Sequence, residues 1–155
     1  MRKIFAIAAL CLMTSALYSQ ILTPFKGDNE KWGFKNGNGK VIIPAKYDNV
    51  GDFSVYNNPA DFYSGHARVK LNDKYGFVDT TGKEVIPVKY DDVGSFTEGL
   101  CAVKINSKWG YIDTNDKEVI TPRYDYAYSF RNGKAKVKIS GKTLYIDRTG
   151  KEVQE

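Results

Sequence analysis

The segment Lys108-Trp109-Gly110-Tyr111-Ile112-Asp113 decides the fold, because it follows Ala102-Val103-Lys104-Ile105 after only two residues, Asn106-Ser107. Two runs rich in β-branched and aromatic residues, separated by a two-residue turn, predict a β-hairpin. The turn length places Lys104 opposite Trp109. Because side chains alternate between the faces of a strand, one face of this hairpin is aliphatic and the other is aromatic.

The same element recurs along the chain with a regular spacing. The period is 34 residues from Tyr75 to Trp109 and again from Trp109 to Thr143. A turn, a short apolar strand and a Tyr-Asp pair follow the first three copies, and the Tyr-Asp pairs are Tyr47-Asp48, Tyr90-Asp91 and Tyr124-Asp125. The four copies of the element are Lys31-Trp32-Gly33-Phe34, Lys74-Tyr75-Gly76-Phe77, Lys108-Trp109-Gly110-Tyr111 and a degenerate Lys142-Thr143-Leu144-Tyr145.

One insertion interrupts this regular spacing. The period between Trp32 and Tyr75 is 43 residues, and the nine additional residues fall between Phe53 and Gly65, within residues 54–63. Insertions in repeat proteins usually form loops on one face, often the binding face. Residues 54–63 are therefore a candidate binding site, although a tolerated surface loop explains the insertion equally well.

These motifs resemble the WG repeat, which occurs in tandem in many exported bacterial proteins. The resemblance extends from Lys31 to Val153 and departs from the pattern at Tyr75 and at Thr143-Leu144, so the fourth copy is a candidate cap. It implies a β-rich repeat array with an interaction role, and no catalytic residues carry over. The resulting division is a signal peptide over 1–19, an N-terminal linker over 20–30 and an array over 31–155, with copies at about 31–73, 74–107, 108–141 and 142–155 (partial).

The expected fold class is all-β. A single hairpin cannot bury its apolar face, so neighbouring copies must stack or continue one sheet. Each copy is predicted to form a three-stranded antiparallel meander, and the tandem hairpin repeats are predicted to form a twisted solenoid-like or partly closed barrel-like array. The repeated glycine permits close approach of another backbone or a bulky neighbour, and Leu144 is expected to fill that space in the fourth copy.

The first twenty residues have the pattern of a secretory signal peptide. Arg2 and Lys3 precede an apolar run over 4–13, and small residues lead to a preferred cleavage site between Ser19 and Gln20. The apolar run is shorter than the roughly 20 residues that a membrane-spanning helix needs. The mature protein is therefore expected to be exported, to the periplasm, cell surface or extracellular space, and not to span a membrane.

Charge and cysteine content restrict the partners of the mature chain. Removing residues 1–19 lowers the net charge from +5 to +3, with 21 basic and 18 acidic residues remaining. This mixed surface lacks the dense positive patch that a phosphate backbone requires, so nucleic acid is not an expected partner. Cys101 alone remains, which excludes an intramolecular disulfide. Lys142, Lys151 and Glu152 are expected to protect a strand edge, which favours a monomer.

Few residues of the chain could support catalysis or bind a metal ion. His66 is the only histidine, which excludes a multi-histidine metal site and makes acid–base catalysis difficult to build. Cys101 has apolar neighbours typical of an inert thiol, and it aligns with a position that holds His66 and Lys134 or Ala135 in other copies. We expect no enzyme activity, no metal and no cofactor. The aspartates that recur once per copy are interpreted as turn and cap residues rather than calcium ligands or a catalytic pair: Asp48, Asp91, Asp125, Asp79, Asp113 and Asp147.

Aromatic residues are the remaining candidates for function, with eleven tyrosines, eight phenylalanines and two tryptophans. They form either a core between repeats or an exposed ladder that stacks on sugars or grips a peptide. The candidate binding residues are Tyr56, Asn57, Asn58, Asp61, Phe62, Tyr63 and His66. The repeat-signature residues interpreted as structural are Trp32, Gly33, Tyr75, Gly76, Trp109, Gly110, Tyr47, Tyr90 and Tyr124.

The function that these features favour is an interaction module for a protein partner in the bacterial envelope or at the cell surface. The alternative is a glycan or peptidoglycan binder that uses aromatic stacking. An envelope hydrolase is the third hypothesis and the least supported of the three.

Overall fold

The computed structural model describes residues 22–51 and 66–155, which form strands and turns and contain no helix. Its strands are β1 (Leu22–Lys26), β2 (Trp32–Asn36), β3 (Val41–Tyr47), β4 (Asn49–Val50), β5 (His66–Leu71), β6 (Lys74–Asp79), β7 (Glu84–Tyr90), β8 (Asp92–Thr97), β9 (Leu100–Ile105), β10 (Lys108–Asp113), β11 (Glu118–Tyr124), β12 (Tyr126–Ala127), β13 (Lys134–Ile139), β14 (Lys142–Asp147) and β15 (Glu152–Val153). No helix in these two ranges has the length and apolar character needed to cross a membrane.

The strands form four antiparallel sheets in tandem, each built from neighbours in sequence. Sheet I is β1-β2-β3, sheet II is β4 to β7, sheet III is β8 to β11 and sheet IV is β12 to β15. The all-β class and the tandem hairpins are therefore confirmed, and no sheet of the described residues closes into a barrel. Sheets II to IV have four strands rather than the predicted three, because the chain after each Tyr-Asp pair adds an edge strand such as β8.

The division into sheets differs from the division into copies made on the sequence. Each sheet from II to IV begins just after a Tyr-Asp pair, so its boundaries fall near residues 48, 91 and 125. Leu22–Lys26, assigned to a linker, forms β1 and pairs along its whole length with β2. Five residues with two apolar side chains are too short to be distinguished as a strand without their partner.

The hairpin register follows the prediction made from turn length. Lys104 pairs with Trp109 in sheet III, and Lys70 pairs with Tyr75 in sheet II. Asn106 and Ser107 both have positive φ, at 50° and 66°, which is the backbone of a two-residue turn whose twist matches the strands. Turn chemistry alone thus sets which side chains share a face.

The glycine of the repeated element is required by the bulged third strand. The pairing of β10 with β11 slips on both sides of Tyr111, which moves the β11 backbone towards Gly110. A Cβ atom at Gly110 would lie 2.4 Å from the carbonyl oxygen of Ile120. The equivalent atoms at Gly33 and Gly76 would meet β3 and β7 at 2.4 and 2.5 Å. Close approach of another backbone was predicted, and the structure shows that it comes from the same sheet.

Leu144 takes the glycine position in sheet IV without such a contact. Among the described residues, β15 pairs only with Tyr145 and Ile146, so no bulged strand lies against Leu144. Its side chain packs instead against the core between sheets III and IV. A leucine is tolerated here because the constraint that selects glycine in the other three sheets is absent.

The sheets pack in one direction, with the aromatic face of each on the aliphatic face of the next. Phe34, Ile43 and Tyr47 of sheet I contact Ala67, Val69 and Val78 of sheet II. Two further cores repeat this order, the second containing Phe77, Ile86, Tyr90, Val93, Phe96, Cys101, Val103 and Ile112. The third contains Leu100, Ala102, Trp109, Tyr111, Ile120, Tyr124, Ala127, Phe130, Ala135, Val137 and Ile146. The aromatic face of sheet IV has no successor among the described residues.

Candidate functional site

The insertion predicted as a binding loop lies outside the described residues. Tyr56, Asn57, Asn58, Asp61, Phe62 and Tyr63 all belong to that segment. His66, the remaining candidate, is half-buried at the start of β5 and pairs with Asp79 across the hairpin. Asp79 is itself held in a turn, since its Oδ1 accepts hydrogen bonds from Thr81 and from the backbone N–H of Lys83.

The aspartate of each Tyr-Asp pair joins two successive sheets. Asp48 accepts a hydrogen bond from Lys31 of sheet I and another, 2.7 Å long, from the backbone N–H of Asn72 in sheet II. The neighbouring lysine, followed by the backbone N–H, lowers the pKa of this carboxyl group. The same lysine pairing recurs between Lys74 and Asp91 and between Lys108 and Asp125. These carboxylates therefore hold successive copies together through their lysine partners.

The second set of repeated aspartates closes the turn before the third strand. Asp147 Oδ1 accepts hydrogen bonds from the backbone N–H groups of Thr149 and Lys151, at 2.8 and 3.1 Å. Asp113 makes the same pair of bonds, and Asn36 takes the position in sheet I. An amide oxygen that replaces a carboxylate without loss of geometry indicates a turn cap rather than an ion site.

Metal-ligating and nucleophilic side chains are not assembled in the described part of the chain. It contains no group of three or more His, Cys, Asp or Glu side chains that could hold a metal ion. Cys101 is fully buried and aligns with Ala67 and Ala135, whereas His66 aligns with Leu100 and Lys134. Burial raises the pKa of the Cys101 thiol to about 12. A thiol in this state is a poor nucleophile near neutral pH.

The repeated aromatic residues are mostly inside the cores. Tyr47, Tyr90 and Tyr124 are buried at the ends of β3, β7 and β11, and Trp109 retains 7% exposure. Trp32 and Tyr75 are half-buried. Tyr90 also links two sheets: its hydroxyl donates to Asp116 Oδ1 at 2.6 Å, and burial raises the pKa of Tyr90.

An exposed pair of tyrosines lies at the start of sheet IV, where the sequence analysis did not place a site. Tyr126 and Tyr128 are 45% and 44% exposed. Their ring centroids are 4.8 Å apart in an edge-to-face arrangement, and Tyr126 lies 5.6 Å from the ring of Trp109. The Tyr128 carbonyl oxygen accepts a 2.7 Å bond from the buried Tyr111 hydroxyl. The Tyr128 backbone is therefore held against the core, and the Tyr126 ring contacts the core through Trp109.

A cavity of about 520 Å³ opens beside Tyr128 on the same face of sheet IV. Register places Tyr126 with Lys138 and places Lys136 with Tyr145, so their side chains belong to the face of sheet IV that no other sheet of the described residues covers. The Lys136 ammonium lies 5.9 Å from the centroid of the Tyr145 ring. The cavity is lined by Tyr128, Ser129, Arg131, Asn132, Lys134, Lys136 and Tyr145.

We use the name tyrosine–lysine face for Tyr126, Tyr128, Arg131, Lys134, Lys136 and Tyr145. The corresponding positions in sheet III that are covered by sheet IV have different side chains: Leu100 and Ala102 stand where sheet IV has Lys134 and Lys136. Both are buried in sheet III, whereas both lysines are exposed. Sheet IV thus has cations at two positions that are apolar and buried in sheet III, whereas sheet II has His66 and Arg68 there.

The scaffold that carries this face can be compared with known families. A model described as the WG containing repeat matches the chain four times, over residues 32–58, 55–75, 75–109 and 109–142. The chain belongs to this family. The resemblance predicted from the repeated motif is confirmed. Comparison with curated proteins and with solved structures gives no match.

The WG repeat in sequence is offset from the sheet in space. The match over 75–109 begins in the middle strands of sheet II and ends in those of sheet III. It therefore contains the Tyr90-Asp91 junction and the core between the two sheets. Each full WG repeat therefore spans the interface between two successive sheets rather than one sheet.

Comparison of the WG repeats with one another could have revealed the exposed tyrosines. Tyr126 replaces Asn49 and Asp92 of the earlier copies, and Tyr128 replaces Gly51 and Gly94. Two tyrosines in place of polar and small residues are an outlier within the repeat. Their exposure could not be derived in the same way, because it depends on the aromatic face of sheet IV remaining uncovered.

Proposed function

We propose that the chain is an exported, non-enzymatic binding module of the bacterial envelope or cell surface, and that it holds a protein partner on the tyrosine–lysine face. The observation that carries this proposal is the exposed, mutually packed pair Tyr126 and Tyr128 beside a cavity of about 520 Å³. Tyrosine and arginine are enriched at the energetic centres of protein interfaces. The stacked sheets below act as an open, solenoid-like scaffold.

Preorganisation supports a binding role for this face. Tyr126 contacts Trp109, and Tyr128 is tied to Tyr111 by a hydrogen bond to its carbonyl oxygen. Because these groups already occupy fixed positions, little conformational entropy is lost when a partner covers the rings. An exposed aromatic pair that served only to fill a core would be covered by another sheet, as Tyr111 is.

The test is to capture a partner protein from an envelope extract with the unaltered protein and with matched variants. We expect the unaltered protein to retain a partner that the Tyr126→Ala/Tyr128→Ala variant loses. The matched control is Val41→Ala/Val119→Ala, which removes two exposed apolar side chains from β3 and β11. A third variant lacking residues 54–63 separates this site from the inserted loop. Equal capture by the tyrosine variant and the control would refute the proposed site.

Glycan binding is the second candidate, supported by the same two exposed rings. Tyrosine faces stack on the C–H surfaces of sugars, and the cavity beside Tyr128 would accept a sugar ring. Titration with cell-wall fragments, followed by the fluorescence of Trp109 next to Tyr126, tests this candidate. No change in fluorescence at millimolar glycan would favour the protein partner.

Export is part of the proposal and has its own measurement. The charged start at Arg2 and Lys3 and the apolar run over 4–13 support a cleaved signal peptide. We expect the protein in the envelope or extracellular fraction to begin at Gln20 when its N-terminus is sequenced. Retention in the cytoplasm with residues 1–19 intact would contradict the envelope assignment.

A further inference from the structure

We infer that the tyrosine–lysine face takes an extended acidic segment of its protein partner, and that Gln154-Glu155 of this chain already occupies part of that site. This inference rests on the proposed function and adds the chemistry of the partner. It is carried by two observations: the unpaired cations that surround the cavity, and the contacts that the chain's own acidic segment makes with them.

The cations at this site, like the exposed Lys35 and Lys40 of sheet I, differ from the lysines that join successive sheets. Lys31, Lys74 and Lys108 each form an ion pair with the aspartate of a Tyr-Asp pair. Within the described ranges, Arg131 and Lys136 form no ion pair with a carboxylate, although both line the cavity. The cavity is therefore lined by positive side chains that no carboxylate of the described residues neutralises. A carboxylate of a ligand would form ion pairs with them.

The chain's own acidic segment shows how such a ligand would bind. The Tyr145 hydroxyl donates a 2.6 Å hydrogen bond to Glu155 Oε1. Lys134 Nζ donates a 2.8 Å bond to the backbone carbonyl oxygen of Gln154. A carboxylate and a peptide carbonyl are thus both accepted at one edge of the site, by two of the residues that line the cavity.

An extended peptide fits these contacts better than a compact anion. The acceptors come from consecutive residues just after β15, which is itself a strand. Side chains of an extended peptide alternate, so every second residue would reach the face. Acidic residues at that spacing would meet Lys136 and Tyr145, which pair across the hairpin, and Arg131 and Lys134, which lie opposite each other two residues along β13. Tyr128 would pack against the intervening chain.

The experiment is isothermal titration calorimetry of the full chain with two capped ten-residue peptides, one alternating Glu and Thr and the other alternating Gln and Thr. The acidic peptide is expected to bind at least tenfold more tightly at about 50 mM salt, and this preference is expected to shrink at about 500 mM salt. Lys134→Gln/Lys136→Gln is expected to weaken the acidic peptide about tenfold. Lys35→Gln/Lys40→Gln, which alters exposed lysines of sheet I, is the control and is expected to leave its affinity unchanged.

The variant Glu155→Gln tests the internal occupant. Removing the carboxylate that bonds Tyr145 is expected to raise the affinity for the acidic peptide about two- to threefold, because the peptide no longer displaces it. Equal affinity for both peptides would overturn the inference, as would an unchanged affinity in Lys134→Gln/Lys136→Gln. Binding of an acidic polysaccharide without binding of the acidic peptide would overturn it also.

The failure of this inference can be told apart from failure of the proposed function. Suppose that neither peptide binds but the Tyr126→Ala/Tyr128→Ala variant still loses the captured partner. The partner then binds the tyrosine–lysine face through something other than an acidic segment. If the partner is captured equally by the unaltered protein and the tyrosine variant, the proposed face itself is wrong. Acidic-peptide binding that is lost in both the tyrosine and the lysine variants supports both proposals.

Discussion

Asp125 Oδ2 accepts a 2.7 Å hydrogen bond from the backbone N–H of Ser140, which lies in the hairpin turn of the sheet that follows. The other carboxylate oxygen of Asp125 accepts from Lys108 of the preceding sheet at 2.6 Å. One side chain thus connects sheet III to sheet IV, and Asp48 makes the equivalent contacts between sheets I and II. Because this junction is repeated, the aromatic face of each sheet packs on the aliphatic face of the next sheet.

The first prediction concerns the pH dependence of the junction. Lys108 and the backbone N–H of Ser140 lower the pKa of Asp125, so its charged form stabilises the folded state. This contribution is present above the unfolded value of about 3.9 and is lost as pH falls through the lower folded value. Asp125→Ala is expected to lower the melting temperature at pH 7, and the gap to the unaltered protein is expected to close in acid.

The control for this prediction is Asp28→Ala, because Asp28 is an exposed turn residue of sheet I. Thermal unfolding followed by circular dichroism between pH 2 and pH 8 measures both variants. If the melting temperature of Asp125→Ala stayed equally far below that of the unaltered protein at pH 2, the carboxylate charge would not be what holds the sheets together.

The second prediction tests the bulge that selects glycine. Gly110→Ala places a Cβ atom 2.4 Å from the Ile120 carbonyl oxygen, which forces the β11 backbone to move. We expect a loss of about 1–3 kcal/mol in the free energy of unfolding, or more where the strand cannot adjust. The control is Gly94→Ala, whose Cβ would lie 3.5 Å from that of Ala102, in ordinary contact. Urea unfolding measures both, and similar losses would contradict the steric explanation.

The third prediction concerns the core between sheets III and IV. Phe130 is 1% exposed, and its ring packs edge-to-face on Tyr111 with centroids 4.8 Å apart. Phe130→Ala is expected to cost about 3–5 kcal/mol in the free energy of unfolding, because it leaves a cavity where no other side chain can reach. Val119→Ala, at an exposed position, is expected to cost less than about 0.5 kcal/mol. If Phe130→Ala lowered the free energy of unfolding only slightly, sheet IV would not pack on sheet III as described.

The fourth prediction concerns the reactivity of Cys101. Burial raises the pKa of its thiol to about 12, so little thiolate forms near pH 8. In a Cys11→Ser background, labelling by a thiol reagent is expected to be at least roughly a hundredfold slower in the native protein than in denaturant. Rapid labelling of the native protein would require an exposed or activated thiol and would revive a catalytic role for this residue.

Local patterns in the sequence were sufficient for the strands, the hairpin register and the WG repeat. The pairing of Lys104 with Trp109 follows from turn length, and the structural role of Asp113 follows from its recurrence once per copy. These features depend on neighbours within about ten residues. They could be predicted because the interactions that determine them are local.

The sheet boundaries and the tyrosine–lysine face could not be predicted in this way. A strand such as Leu22–Lys26 is recognised only through its pairing with β2. The exposure of Tyr126 depends on the stacking order of four sheets, which no single repeat encodes. The aromatic stripes contain both buried and exposed rings for the same reason, and the sequence alone does not distinguish Trp109 from Tyr128.

Hydrogen–deuterium exchange of the chain, alone and with its captured partner, tests the central claim most directly. We expect slower exchange in the partner complex over residues 126–136 and 142–145, with residues 22–36 of sheet I unchanged. Tyr126→Ala/Tyr128→Ala is expected to abolish this protection. Protection confined to sheet I or to residues 54–63, with residues 126–136 unaffected, would contradict the claim that the tyrosine–lysine face binds the partner.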